Sequence, residues 1–169
     1  DVADYFDKID RNGAGTNILH LLPHGSLRRQ VMQGEANRPP SPAELAKMQE
    51  LADKAMRDGA CGMATGLIYT PGSFSKTDEL VAIAEVVAKH GGIYASHIRN
   101  EGTQLLESLD EILTIGREAK LPVHVSHIKV SGRSAWGLAR DAIQKLSDAR
   151  ASGQKVTADQ YPYTASSTS

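Results

Sequence analysis

Five short apolar runs, at residues 17–22, 62–67, 92–98, 123–130 and 156–161, alternate with amphipathic stretches, and this alternation leaves few folds open to the chain. Each run spans about 5–8 residues between glycine or proline borders, which suits buried parallel strands better than helices. Strand and helix in succession predict βα repeats with right-handed crossovers, arranged as an open doubly wound α/β sheet or as an arc of a (β/α)8 barrel. Periodicity does not choose between the two. No GxGxxG or Walker sequence follows the first run, so the phosphate-cradling form of an open sheet has no support. A complete barrel takes about 250 residues, so a barrel built from these 169 would be partial.

The helical stretches carry their own start and stop signals. Ser41-Pro42-Ala43-Glu44 joins a capping serine, a proline at the first helical position and a glutamate three residues after the cap. Leu45, Met48, Ala52 and Ala55 follow at spacings of three and four until Gly59, which predicts a helix with one buried stripe. A second helix is predicted from Thr77, where Asp78 and Glu79 suit the positive end of the helix dipole. Its inward residues are Leu80, Ile83, Ala84 and Val87, and Gly91-Gly92 ends it. Leu106, Leu109, Ile112 and Leu113 mark a third helix closed by Gly116 or by Pro122; Ala139, Ile143, Leu146 and Ala149 mark a fourth closed by Gly153.

Composition narrows the function classes. The 19 basic side chains nearly balance 20 acidic ones, giving a net charge of -1 without a basic cluster, so nucleic acid and anionic membrane surfaces are not expected partners. No apolar stretch approaches the roughly 18 residues of a membrane span, and no basic segment leads into an apolar one as in a signal peptide. The single cysteine, Cys61, allows no internal disulfide and suits a reducing, cytoplasmic setting. Because the chain opens on Asp1 and stops at Ser169, the expectation is one barrel domain over residues 1–169 truncated at both ends, an open arc prone to self-association.

In either α/β architecture chemistry gathers at the carboxyl ends of the strands. The third run presents Ser96-His97 there and the fourth Ser126-His127, thirty residues later. Imidazoles at the mouths of adjacent parallel strands can present nitrogens to one divalent ion. A lone strand histidine ordinarily has a structural, hydrogen-bonded role, but the repeated Ser-His pair, followed each time by a cation (Arg99 and Lys129), brings the ligand reading level with it. His124, three residues before His127, falls on the other side of an alternating strand and is the poorer candidate. His20, His24 and His90 keep the structural reading, His90 at a helix terminus that favours a cation.

Four ordered motifs then carry a family resemblance: residues 65–72 (Thr-Gly-Leu-Ile-Tyr-Thr-Pro-Gly), 94–102 (Tyr-Ala-Ser-His-Ile-Arg-Asn-Glu-Gly), 126–129 (Ser-His-Ile-Lys) and 159–165 (Asp-Gln-Tyr-Pro-Tyr-Thr-Ala). With residues 23–28 (Pro-His-Gly-Ser-Leu-Arg) upstream, they resemble the D-aminoacylase (N-acyl-D-amino-acid deacylase) branch of the amidohydrolase superfamily over essentially the whole chain. The resemblance implies a TIM-like barrel with about strands three to seven present. It implies zinc as cofactor, with His97 and His127 matching ligands from strands five and six. It implies an N-acyl-D-amino acid as the small-molecule substrate, hydrolysed by metal-activated water. Tyr69, Lys129 and Tyr161 match substrate-holding residues, the lysine pairing with a carboxylate and the tyrosines with carboxylate or oxyanion. The remaining metal ligands and the acid–base aspartate are expected outside these residues, so no catalytic acid–base group is assigned here.

Cys61 does not match the family's cysteine ligand and is expected as a small buried hydrophobe. Asp159 belongs to the seventh-strand motif and is expected to be structural or to support a ligand. Asn100 stands where an acidic residue is more usual, removing one charge near the mouth. Two alternatives remain: another amidohydrolase, such as a cyclic-amide hydrolase or dihydroorotase relative, and a non-catalytic α/β binding domain with structural histidines. The tyrosine and lysine motifs argue against the first.

Overall fold

The computed structural model describes residues 1–34 and 37–165. The order of elements is α1 (Val2–Asn12), β1 (Leu21–Pro23), α2 (His24–Met32), α3 (Pro42–Arg57), β2 (Gly62–Gly66), α4 (Thr77–Lys89), β3 (Ile93–His97), α5 (Leu105–Ala119), β4 (Val123–Val125), α6 (Ala139–Ala151) and β5 (Val156–Ala158). The strands form one parallel sheet in the order β1-β2-β3-β4-β5. A doubly wound sheet reverses its strand order at a switch point; here the order never reverses, and α2 to α6 pack each on the next. This is the arrangement of a barrel arc.

Register assigns the two faces. Leu22, Met63, Thr65, Tyr94, Ser96, Val123, Val125 and Val156 share one face and are buried beneath the helices. Gly62, Ala64, Gly66 and Ala95 line the other, together with His97 and His124. The helix-facing side is therefore mostly apolar, with Thr65 and Ser96 as polar members, and the opposite side joins these small residues and imidazoles to Leu21, Pro23, Ile93 and Thr157. Beneath the sheet Thr65 Oγ1 lies 2.8 Å from both the Tyr94 hydroxyl and Ser96 Oγ. Burial pushes the Tyr94 phenol up to about 12, so it stays neutral.

The predicted helices form where their caps stand. Ser41 and Glu44 make the reciprocal capping box of α3, which buries Met48, Ala52 and Ala55. In α4 the stripe Leu80, Ile83, Ala84 and Val87 is wholly buried. Helix α5 passes through Gly116 and ends at Lys120, whose φ is 57°. Gly116 is a packing residue rather than a stop, since a Cβ there would lie 2.5 Å from Val123 Cγ1. The stripe of α6 is rotated from its expected position: Ala142 is buried, whereas Ile143 is 65% exposed.

Two helices, α1 and α2, were not anticipated. Helix α1 is mostly polar, and its signal is the Asp1 and Asp4 capping box. Helix α2 starts directly from β1 on Pro23 without a side-chain cap. The strand limits also contract. β1 covers 21–23 rather than 17–22, β4 stops at Val125 rather than 130, and β5 stops at Ala158 rather than 161. Pairing beyond β4 is irregular: Ser126 N donates to Ser96 O, Ile128 N donates to Asp159 O, and His127 between them has a left-handed φ of 39°. Among the described residues no helix is long and apolar enough to cross a membrane.

Candidate metal centre

His97 closes β3 on the side of the sheet away from the helices, beside Gly66, where a Cβ would lie 2.9 Å from Tyr69 Cδ2 and the missing side chain makes room for that ring. A regular β4 would carry Ser126 to that side and His127 to the helix side. The left-handed turn at His127 reverses this, an αL conformation in which histidine is enriched among non-glycine residues. The imidazoles consequently stand 4.3 Å apart between ring centres at 58°, with His127 Nε2 against His97 Nδ1. Burial, then the neighbouring His127, lowers the His97 pKa, which keeps its lone pair available.

The other expected site residues gather round this pair. The Tyr69 ring lies 6.2 Å from that of His97, and the Tyr161 ring 6.5 Å from that of His127. Lys129 Nζ sits 5.6 Å above the Tyr161 ring and 2.6 Å from Glu101 Oε1. All five residues singled out in the sequence therefore meet at the carboxyl ends of β2 to β5. Glu101, within the quoted 94–102 motif, was not singled out, yet its Oε1 also approaches His127 Nδ1 at 3.1 Å. Asp159 supports the turn by accepting the His127 backbone N–H on Oδ1. The hydrogen bonds from His124 and, after the cost of burial, from the His127 backbone hold its carboxyl below the usual range.

Other candidates lie elsewhere or are engaged. His124 is on the same side as His97, not the opposite one, because Ala95 and His124 are register partners. Its nitrogens are taken up by Thr157 Oγ1 and Asp159 Oδ2, each at 2.8 Å. His24 is buried, with Nε2 2.8 Å from Glu79 Oε1, and Arg28 donates to the other oxygen of that carboxylate. His20 packs on Tyr5 at the far end of the sheet, 4.8 Å between ring centres. Cys61 stands at that same end, half-buried rather than buried, with Sγ directed to His20 O. His90 caps α4 and bonds to Asp53 at 2.8 Å. Asn100 builds the turn into α5, its Oδ1 accepting the N–H groups of Gly102 and Gln104, a task either an amide or a carboxylate can perform.

Two imidazoles whose nitrogens face each other fit a divalent ion and would supply half of a tetrahedral ligand set. Among the described residues no group of three or more His, Cys, Asp or Glu side chains converges to complete it. A parallel βα arc with its polar groups at the strand carboxyl ends has the architecture of a (β/α)8-barrel site.

Relatives narrow the class. No family model matches the chain. It is 39% identical over 98% of its length to a D-aminoacylase of Alcaligenes xylosoxydans xylosoxydans and 36% identical over 99% to an N-acyl-D-glutamate deacylase of that organism, covering 34% of each. Among solved structures it superposes on an N-acyl-D-glutamate deacylase from Bordetella bronchiseptica, complexed with zinc and a phosphonate inhibitor, with a TM-score of 0.93 at 35% identity over 96% of the chain and 34% of the other. An L-hydantoinase from Arthrobacter aurescens shares the fold alone, with a TM-score of 0.51 at 17% identity over 81% of this chain and 36% of that one. In sequence and fold the chain is thus similar to D-aminoacylases and N-acyl-D-glutamate deacylase, and it spans about a third of the length of the relatives it matches.

Proposed function

We propose that residues 1–169 are the central part of a single amidohydrolase barrel that hydrolyses the amide bond of N-acyl-D-amino acids, with zinc as its metal and a cytoplasmic setting. The observation that carries the proposal is the convergence of His97 and His127 at the strand mouths, ringed by Tyr69, Lys129 and Tyr161. The histidines would be two of the zinc ligands. Bound there, zinc would polarise the amide carbonyl and lower the pKa of water. Lys129 would meet the substrate carboxylate, and the tyrosine hydroxyls would donate to the carboxylate or to the developing oxyanion. Asp159 would hold the backbone of His127, leaving proton transfer to an aspartate outside these residues.

The sizes of acyl group and side chain are not fixed by this arrangement, since relatives named for different substrates match almost equally well. The test is His127→Ala in the protein that contains this barrel segment: zinc content and amide hydrolysis should fall together. Full zinc occupancy in that variant would remove His127 from the ligand set.

A further inference from the structure

Resting on this proposed metal site, a second layer can be derived from the chain's own side chains. His127 Nδ1 has two polar neighbours that call for opposite tautomers. In the structure Lys129 Nζ, 2.8 Å away, can only donate and meets a bare Nδ1, whereas Glu101 Oε1, 3.1 Å away as an ion-pair contact, can only accept and would engage Nδ1–H. The choice is felt at Nε2, which faces His97 Nδ1. With the proton on Nδ1, both imidazoles turn lone pairs to the same point. With the proton on Nε2, His127 donates to His97 and offers no lone pair. The ring holds one proton in both forms, so only its position changes.

Lys129 has acceptors besides this nitrogen: Glu101 Oε1 at 2.6 Å and the His127 carbonyl at 2.9 Å. Glu101 is also well anchored. Its carbonyl accepts from Ser131 N at 2.7 Å, and the Asn100 turn fixes the backbone beside it. The Glu101 side chain is only 16% exposed, so its carboxylate acts with limited solvent screening.

We propose that Glu101 is a positioning residue that accepts the His127 Nδ1–H when Nε2 binds metal, replacing the Lys129 donation to Nδ1 that the structure holds. Removing such a support for a ligating histidine typically weakens metal binding about 10–100-fold.

The test measures zinc affinity by chelator competition and the His127 tautomer by selective 15N-histidine NMR, in the whole protein and its variants. Glu101→Gln should weaken zinc binding about 10–100-fold and move the metal-free ring further toward Nε2–H. Glu101→Asp, which keeps the charge but shortens the reach, should also weaken it, and it supplies the measurement if the amide variant does not fold. Lys129→Met should leave the affinity unchanged or raise it, because the competing donor is gone. Wild-type protein that binds no zinc would overturn the metal reading and this inference with it. Zinc binding through His127 that survives both Glu101 variants, or that falls equally in Lys129→Met, would overturn the inference alone.

Discussion

A single left-handed backbone angle at His127 turns an imidazole from the helix side of the sheet to its mouth. Lys129, two residues on, is aimed into the same space by Glu101. If it meets a substrate carboxylate, Lys129→Met should lower kcat/KM for N-acyl-D-amino acids by roughly ten- to a hundredfold, the equivalent of about 1.5–3 kcal/mol for a charge-assisted hydrogen bond. Neutral amides of similar shape should lose far less, and parallel assays of the two substrate types check this. Glu79 governs stability in the same residue-by-residue way. Burial raises its pKa, but the bonds from His24 and Arg28 outweigh that and hold it below the ordinary 4.5. A carboxylate with a depressed folded pKa contributes stability above its unfolded pKa and loses it as pH falls through the folded one. Wild-type stability should therefore decline on acidification below about pH 4.5. Glu79→Gln should be destabilised by about 3–5 kcal/mol at neutral pH, as when one partner of a buried ion pair is removed. The gap between the two should narrow in acid, as read from urea unfolding at several pH values.

At the scale of elements, the loop from β2 to α4 carries Tyr69 and is clamped from two sides. Arg99, just past β3, donates to the carbonyls of Ser73 and Ser75 at 3.0 Å each and is held by both oxygens of Glu111 on α5. Arg29 on α2 donates to Thr70 O at 3.2 Å. The cation after the first Ser-His pair thus fastens a loop, while the cation after the second faces the mouth. Arg99→Met removes the cation from the largely buried Glu111, leaving it Thr77 Oγ1 at 2.9 Å, and should cost about 1–3 kcal/mol. It should also raise KM more than it lowers kcat, because the Tyr69 loop loosens. Steady-state kinetics beside a denaturation curve check both, and unchanged KM would separate the clamp from substrate binding.

For the whole molecule, β1 and β5 are the two edges of an open parallel sheet, and closed barrels have none. Trp136, Ile143 and Tyr163 are 63%, 65% and 74% exposed toward the β5 side. The 169 residues expressed alone should self-associate, visible as concentration-dependent sedimentation, and should show no turnover of N-acetyl-D-amino acids with zinc added. A well-behaved monomer with turnover near ordinary enzyme rates of about 1–10³ per second would instead require an acid–base residue within the chain, with Asp159 the first to mutate.

The sequence by itself determined the βα succession, four of the helices, and the strand-end positions of His97, His127, Tyr69, Lys129 and Tyr161. These signals are local: apolar runs, capping residues and the motifs that surround them. Sequential strand order, which separates a barrel arc from a doubly wound sheet, depends on pairing between segments about thirty residues apart; periodicity left it open, the family resemblance implied it, and the fold bears it out. That His124 and His127 emerge on the same side came only with the fold, because alternation along a strand fails where one residue turns left-handed. The meeting of Glu101 with His127 and Lys129 was likewise decided by tertiary structure, since it joins the loop after β3 to the loop after β4.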